Sequence, residues 1–484
     1  MTQDDITRIV SEVLKKLDSN PGFRAAIQGA PQAQPRREAA ASGGGVYQTV
    51  TEAVEAAEKA QPVFQDMGIE ARKKIIDAIR QAAVSNAERF AKMAQEETGM
   101  GRWQDKVQKN LICALKTPGV EDLSARAYTG DKGLTLVEYA PFGVVAAITP
   151  STNPVATVIS NAIAILAAGN SVVFSPHPAS KKSVQEAIRV FNAAAVAAGA
   201  PPDLMTTMAS PTQDSTKELL SHPKARMNLV TGGPAIVRVA MTTGKTCKVI
   251  AAGPGNPPVV VDETARFPEC AESIITGCGF DNNVLCIAEK EVIVVEAARE
   301  KFLAAMRADK RAYELSPEQM DQLAKAAIPD YQPGKEPRVN RDFVGKNPSH
   351  IAKAIGLSLS DDVRVLWGVT PNDHPFVMAE QLMPVLPVTF VPNLDAAIEL
   401  AYRAEGGNHH SAAMYSMNVE NLTKMGRRIA CSIYVKNAPT LYGLGMGEGY
   451  ASMSIGTPTG DGITKPTHFV RPLHCVLVGY FRIA

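Results

Sequence analysis

The sequence predicts an α/β chain of two doubly wound domains with a β-arm, preceded by a short helix on a linker. Three observations predict it. The 484 residues exceed what one hydrophobic core organises, so more than one domain is required. Residues 142–253 alternate short Val- and Ile-rich runs with longer helical patterns, as a parallel sheet covered on both faces requires. Residues 257–404 repeat that alternation.

Taken in order, residues 1–20 read as an amphipathic helix. Ile6, Ile9, Val10, Val13, Leu14 and Leu17 recur at helical spacing. Thr2 and Asp5 fit a capping box, and Ser19-Asn20-Pro21-Gly22 ends the helix. Arg8 and Glu12 interrupt the apolar core that a secretory signal needs, and Asp4, Asp5, Glu12 and Asp18 are too acidic for a mitochondrial presequence. Residues 21–45 are rich in Ala, Gly, Pro and Gln and read as a flexible linker. A helix on such a tether reaches its own core with difficulty, so it is expected to dock on another protein.

Residues 46–250 follow as a nucleotide-binding domain. Helical patterns fill 46–115. Strands are expected at 143–150, 171–176, 204–210, 227–232 and 248–253, with helices at 155–169, 179–198 and 234–244. Gly169 ends the first of these helices. Residues 251–440 form a second α/β domain, with strands at 257–262, 291–296, 363–369 and 386–391 and helices near 264–279 and 394–404. Two stretches fit neither sheet: 127–140 reads as a hairpin arm and 467–481 as a terminal strand. Such edges close subunit interfaces, so a homo-oligomer, dimer or tetramer, is expected. Residues 441–484 complete the nucleotide domain and the arm.

The formal net charge is +1, which offers no field for nucleic acid or an anionic membrane. No apolar run is long enough to span a bilayer. The seven cysteines include no CxxC pair, which fits a reducing cytoplasm rather than a disulfide framework. No metal-ligand spacing occurs, so no metal is expected.

The chemistry-bearing motifs are few. No GxGxxG is present, and Gly443–Gly449 reads as a mobile loop. Thr231-Gly232-Gly233 stands between a strand and a helix, where free N–H groups can face a pyrophosphate. Cys286 follows Asp281-Asn282-Asn283 and precedes a strand, which puts it on a polar loop suited to a reactive thiolate. Cys113, Cys247, Cys270, Cys278, Cys431 and Cys475 are read as small buried hydrophobes.

From about residue 46 onward the chain resembles the aldehyde dehydrogenase superfamily. The resemblance rests on APFGVVAAITPSTNP (140–154), NLVTGGPAIV (228–237), GFDNNVLCIAEKEVIV (279–294) and EQLMPVLPV (380–388), in that order. It implies the fold of that family, Cys286 as nucleophile, Glu380 on the nicotinamide ribose, and Thr149, Pro150, Thr231, Gly232, Gly233 and Pro384 near the cofactor. Where hydrolytic members carry a glutamate base, this chain has Ala251-Ala252 within IAAGPGNPP (250–258). A methyl group takes no proton, so water should attack the acyl-enzyme slowly.

With GFDNNVLC, SPHP (175–178) and GGNHHS (406–411), the resemblance narrows to the CoA-acylating branch. Within it, the chain is similar to the propionaldehyde and acetaldehyde dehydrogenases of bacterial microcompartments. That implies NAD as cofactor and coenzyme A as acyl acceptor. It also implies a bacterial cytoplasmic enzyme inside a microcompartment, whose residues 1–20 dock on shell or core proteins. The oxyanion donor is expected at Thr152 or Asn153, together with the Cys286 N–H. Ser175 stands where many relatives place a lysine on the adenosine ribose, and His177 and Pro178 are expected nearby. His409-His410 is given a structural reading. The alternatives are a hydrolytic enzyme that releases free acid, a reductase of acyl phosphates, and a shell adaptor with a degenerate site.

Overall fold

A computed structural model describes residues 44–335 and 337–479. The expected helix at 1–20 and most of the linker lie outside the described residues, as does the end of the 467–481 strand.

The chain enters on β1 (Val46–Tyr47) and four helices, α1 (Val50–Asp66), α2 (Gly68–Ser85), α3 (Ala87–Thr98) and α4 (Trp103–Lys116). A hairpin, β2 (Arg126–Gly130) and β3 (Gly133–Pro141), leads into β4 (Val144–Thr149), α5 (Pro154–Ala167), β5 (Ser171–Pro176), α6 (Lys181–Ala197), β6 (Met205–Met208), α7 (Gln213–Ser221), β7 (Ala225–Thr231), α8 (Pro234–Met241) and β8 (Lys248–Ala252). The six strands β1-β6-β5-β4-β7-β8 form one sheet in that order, every neighbouring pair parallel. The winding reverses on either side of β4, which makes the carboxyl ends of β4 and β7 a topological switch point where such sheets bind ligands. Every residue of helix α5 is buried, its one polar face of Thr157, Ser160 and Asn161 included, as expected of a helix enclosed by its domain. Gly169, at φ +81°, closes it in the left-handed region that favours glycine.

The second lobe begins five residues after β8. Its strands are β9 (Pro258–Val261), β10 (Glu291–Val295), β11 (Ala312–Glu314), β12 (Val365–Val369), β13 (Val385–Val391), β14 (Ser411–Tyr415) and β15 (Ile433–Lys436). They form one parallel sheet in the order β11-β12-β13-β10-β9-β14-β15. Because β8 runs almost directly into β9, the carboxyl edge of the first sheet adjoins the amino edge of the second.

The chain then returns to the first lobe. Leu441, Leu444, Met453, Ile455 and Phe469 pack in the same core as Ile159 and Phe174. Two short strands, β16 (Ile455–Gly456) and β17 (Gly462–Ile463), pair antiparallel, and the last strand, β18 (Val470–Val478), pairs antiparallel with β3 from Val470↔Pro141 to Val478↔Gly133. Strands β2, β3 and β18 thus form a separate three-stranded arm.

Two expectations need correction. Residues 443–449 are irregular but not detached: Leu444 is 5% exposed in the core. Cys475 is exposed and Cys247 and Cys431 are partly exposed; Cys475 lies in β18, whose residues after Val470 are all exposed.

Candidate active site

Cys286 sits on a turn between the helix at Glu269–Gly279 and β10. The three residues Asp281, Asn282 and Asn283 have φ of +49°, +53° and +61°. Consecutive left-handed residues are costly for L-amino acids and least so for Asp and Asn. The turn is held from several sides. Asn282 Nδ2 donates to the Gly345 carbonyl at 3.0 Å and to Asn347 Oδ1 at 2.8 Å. Asn283 Nδ2 donates to the carbonyls of Cys278 at 3.0 Å and Glu289 at 2.9 Å. The buried Lys290 ammonium donates to the carbonyls of Asn283 at 3.0 Å and Leu285 at 2.9 Å. Strain of this kind persists where the surroundings over-determine it, as at reactive sites.

Burial pushes the Cys286 thiol up to about 12, and the Glu380 charge pushes the same way, while Lys290 and Lys109 oppose it. The resting group is therefore a thiol and needs a proton acceptor. Glu380 is partly exposed. Burial raises its carboxyl to about 7, against Lys290 and the Gly255 N–H that faces it. His410 is 1% exposed. Burial, and then Lys290, lower it to about 4, so it is a neutral imidazole at ordinary pH. Its Nδ1 lies 3.0 Å from Ser411 Oγ, and its Nε2 is buried without a partner.

Gly255 joins these groups. A methyl there would lie 2.7 Å from His410 Cγ and 3.0 Å from the Cys286 carbonyl oxygen. His410 therefore lies beside Cys286, a placement the structural reading of the pair did not include. The signal for it lies in topology: Glu380, Cys286, Gly255 and His410 each precede one of the four neighbouring strands β13, β10, β9 and β14. No local motif carries that information.

The oxyanion candidates stand just beyond β4. Asn153 is buried and donates through Nδ2 to Thr152 Oγ1 at 3.2 Å, and Thr152 is partly exposed. A cavity of about 10 Å³ lies alongside, lined by Ile112, Phe280, Leu285, Leu441 and Met446 among others. That is room for roughly one water-sized group.

Most of the residues expected at the cofactor stand at the carboxyl ends of the first sheet. Thr149 is 1% exposed and its Oγ1 has no partner, with Pro150 partly exposed next to it. Thr231 Oγ1 is 2.6 Å from Ser454 Oγ, and Gly232 N–H donates to the Ala252 carbonyl at 3.1 Å. Gly233 caps α8 with no side-chain bond, and a methyl there would meet nothing within 4 Å. The start of α8, which lacks a side-chain cap, and the orphaned Thr149 hydroxyl fit an anionic cofactor group. His177 and Pro178 are exposed at the end of β5. Ser175 differs: it is 1% exposed and 2.9 Å from Thr216 Oγ1, so its hydroxyl is already engaged in the core. Pro384 is buried and its carbonyl accepts from Leu366 N–H at 2.9 Å; of that element, Glu380 is the residue whose charge reaches the nucleophile.

The model of the family described as "Aldehyde dehydrogenase family" matches residues 37–328. An acetaldehyde dehydrogenase (acetylating) of Salmonella typhimurium is 46% identical, with 100% of each chain covered. Among solved structures, a propionaldehyde dehydrogenase from the Clostridium phytofermentans fucose utilisation bacterial microcompartment superposes with a TM-score of 0.87 at 40% identity, over 91% of this chain and 100% of that one. A Rhodopseudomonas palustris propionaldehyde dehydrogenase, solved with bound CoA and an acylated cysteine, gives a TM-score of 0.86 at 42% identity, over 90% of this chain and 99% of that one.

Proposed function

The chain belongs to the aldehyde dehydrogenase family, and from that premise we propose that it is a CoA-acylating aldehyde dehydrogenase, converting a short aliphatic aldehyde, CoA and NAD to acyl-CoA and NADH through a thioester on Cys286. The observation that carries this reading is the grouping of Cys286, Glu380 and His410 around Gly255, with Ala251 and Ala252 in place of a water-activating carboxylate.

Each residue has a chemical task. Glu380, the residue expected on the nicotinamide ribose, has a carboxyl raised to about 7 and a charge that acts on the Cys286 thiol, which suits it to take the thiol proton as well. The thiolate adds to the aldehyde carbonyl, and the oxyanion is met by Thr152 or Asn153 and by the Cys286 N–H; one such donor is worth roughly 10²–10³ in rate. NAD, when bound, would supply the hydride acceptor whose reduction leaves the acyl group on Cys286. The turn Thr231-Gly233, with Thr149 and Pro150, holds the anionic part of that cofactor, and His177 and Pro178 border it. His410 Nε2, neutral and unpartnered, takes the proton of the CoA thiol as it attacks the thioester. Acetaldehyde and propionaldehyde, the aldehydes named for the similar enzymes, are the substrates this reading expects first.

Localisation and assembly follow the same reading. The apolar stripe Ile6, Ile9, Val10, Val13, Leu14 and Leu17 supports docking of residues 1–20 to microcompartment shell or core proteins. A fusion of residues 1–20 to an inert reporter should co-purify with shells, and Val10→Asp with Val13→Asp should abolish this without changing the melting temperature. The arm leaves Tyr128, Val476 and Val478 61%, 61% and 79% exposed, which supports its closing a homo-oligomer.

A panel of aldehydes with and without CoA, read for both NADH and acyl-CoA, tests the activity. With CoA the two products should appear in equal amounts. Without it, about one NADH per Cys286 should form and then stop. Continued turnover to free acid would support the hydrolytic reading instead.

A further inference from the structure

Asp281 lies five residues before Cys286, and two ammonium groups enclose its carboxylate. Lys106 Nζ donates to Asp281 Oδ2 at 3.0 Å, and Lys109 Nζ donates to the same oxygen. The Arg102 N–H donates to Oδ1 at 2.6 Å. Asp281, Lys109 and Lys106 are 0%, 2% and 3% exposed. Each ammonium has a second partner on the oxyanion turn. Lys109 donates to Asn153 Oδ1, and Lys106 donates to the Thr152 carbonyl at 3.2 Å. With the bond from Asn153 Nδ2 to Thr152 Oγ1, a ring closes from Asp281 through Lys109, Asn153, Thr152 and Lys106 back to Asp281. Gly101 leaves space for it, since a methyl there would lie 2.1 Å from Asp281 Oδ1.

Burying such charges is costly, and well-packed apolar side chains often hold a fold as well. The ring therefore calls for a role beyond packing, and its position supplies one. An amide can present either its oxygen or its nitrogen, whereas an ammonium can only donate. Lys109 fixes Asn153 Oδ1 toward itself and leaves Nδ2 as the free end. Thr152 Oγ1 accepts from Nδ2, so its own proton remains to donate. We propose that Lys109, anchored on Asp281 and supported by Lys106, is a positioning residue that aims the donors of Asn153 and Thr152 at the oxyanion formed on Cys286. The proposal rests on Cys286 being the nucleophile. Lys109 is also near enough to favour the Cys286 thiolate.

A double-mutant cycle tests it on the full-length protein, with the rate of the NADH burst without CoA as the readout. Lys109→Met should slow the burst about tenfold or more, as befits the partial loss of an oxyanion donor, with NAD affinity little changed; because it removes one member of a buried ion pair it also lowers stability, so the burst is read well below the melting temperature of the variant. In an Asn153→Ala background the same substitution should cost less than about threefold, because coupled residues are non-additive. An equal loss in both backgrounds, or a normal burst in Lys109→Met, would overturn the positioning role. If Lys109→Met is insoluble, Lys109→Gln, which keeps a donor without the charge, enters the same cycle and is judged by the same outcomes. Cys286→Ser separates the two readings. A burst surviving in Cys286→Ser would sink the nucleophile assignment itself, whereas a dead Cys286→Ser beside a normal Lys109→Met would remove only the positioning role.

Discussion

The two sheet edges that meet at the active site are built from opposite materials. The carboxyl edge of the first sheet presents Thr149-Pro150, His177-Pro178 and Thr231-Gly233, mostly small side chains beside a helix start without a side-chain cap. The amino edge of the second presents Glu380, Cys286 and His410, backed by the buried Lys290, Glu289 and Glu291. Burial raises Glu289 to about 7 and Glu291 well above its ordinary value. Binding at the first edge uses groups that barely change when water is excluded. Chemistry at the second uses groups whose protonation depends on that exclusion. Substitutions should therefore be tolerated unequally at the two edges.

The largest contrast is expected from Asp281→Ala. It leaves Lys106 and Lys109 buried without their shared carboxylate, and removing one member of a buried ion pair costs about 3–5 kcal/mol. Thr231→Ala on the other edge removes a 2.6 Å hydroxyl contact to Ser454, worth about 1 kcal/mol. Denaturant midpoints measure both, and equal losses would erase the distinction. Gly255→Ala comes next. Its methyl would press on His410 and Cys286, at about 1–3 kcal/mol of overpacking. A displacement near 1 Å can cost roughly 10²-fold in rate, so acyl transfer to CoA should fall by that order, measured as acyl-CoA formed from a preloaded thioester.

The difference between the edges also explains what was legible in the sequence. Both sheets could be read, because strand and helix periods alternate cleanly through 142–253 and 257–404. Cys286, Glu380 and Thr231-Gly233 could be read from local strings. His410 could not, because its neighbour Gly255 lies 155 positions earlier and only the order β10-β9-β14 brings them together. Lys106 and Lys109 looked like any pair three apart on a helix; their burial depends on Asp281, which arrives from the other lobe. Ser175 shows the converse: its strand position was legible, whereas the pairing of its hydroxyl with Thr216 was not.

A pH experiment probes the amino edge alone. His410 is lowered to about 4 in the folded protein, from 6.5. Between those values the unfolded chain binds the extra proton, so this stability is present above pH 6.5 and is lost as pH falls toward 4. Wild type should lose about 2 kcal/mol more than His410→Gln between pH 7 and pH 5, read as a difference in unfolding free energy. Parallel curves would mean that His410 is not buried as a neutral ring. Smaller still is the effect of the cavity. Met446→Ala should raise kcat/KM for propionaldehyde relative to acetaldehyde by about tenfold, the scale of one methylene in an apolar pocket. An unchanged ratio would place the alkyl tail elsewhere.

The smallest effect is expected at Gly233, and it tests whether the carboxyl edge binds through its backbone. Gly233 has φ −67°, which any L-residue adopts, and a methyl there meets nothing within 4 Å. Gly233→Ala should therefore fold without strain. The freedom lost by the unfolded chain favours Ala by about 0.4–1 kcal/mol, and the N-cap preference for Gly over Ala opposes it by a similar amount, so stability should change little. The same methyl would stand at the start of α8, in the space proposed for the anionic part of NAD. If that group approaches the backbone closely, NAD affinity should weaken while thermal stability holds, which neither a folding defect nor an inert surface change would produce. Fluorescence titration with NAD and a melting curve on the same sample measure both. Unchanged affinity would move the anion away from Gly233 and toward Thr149, whose buried hydroxyl lacks a partner.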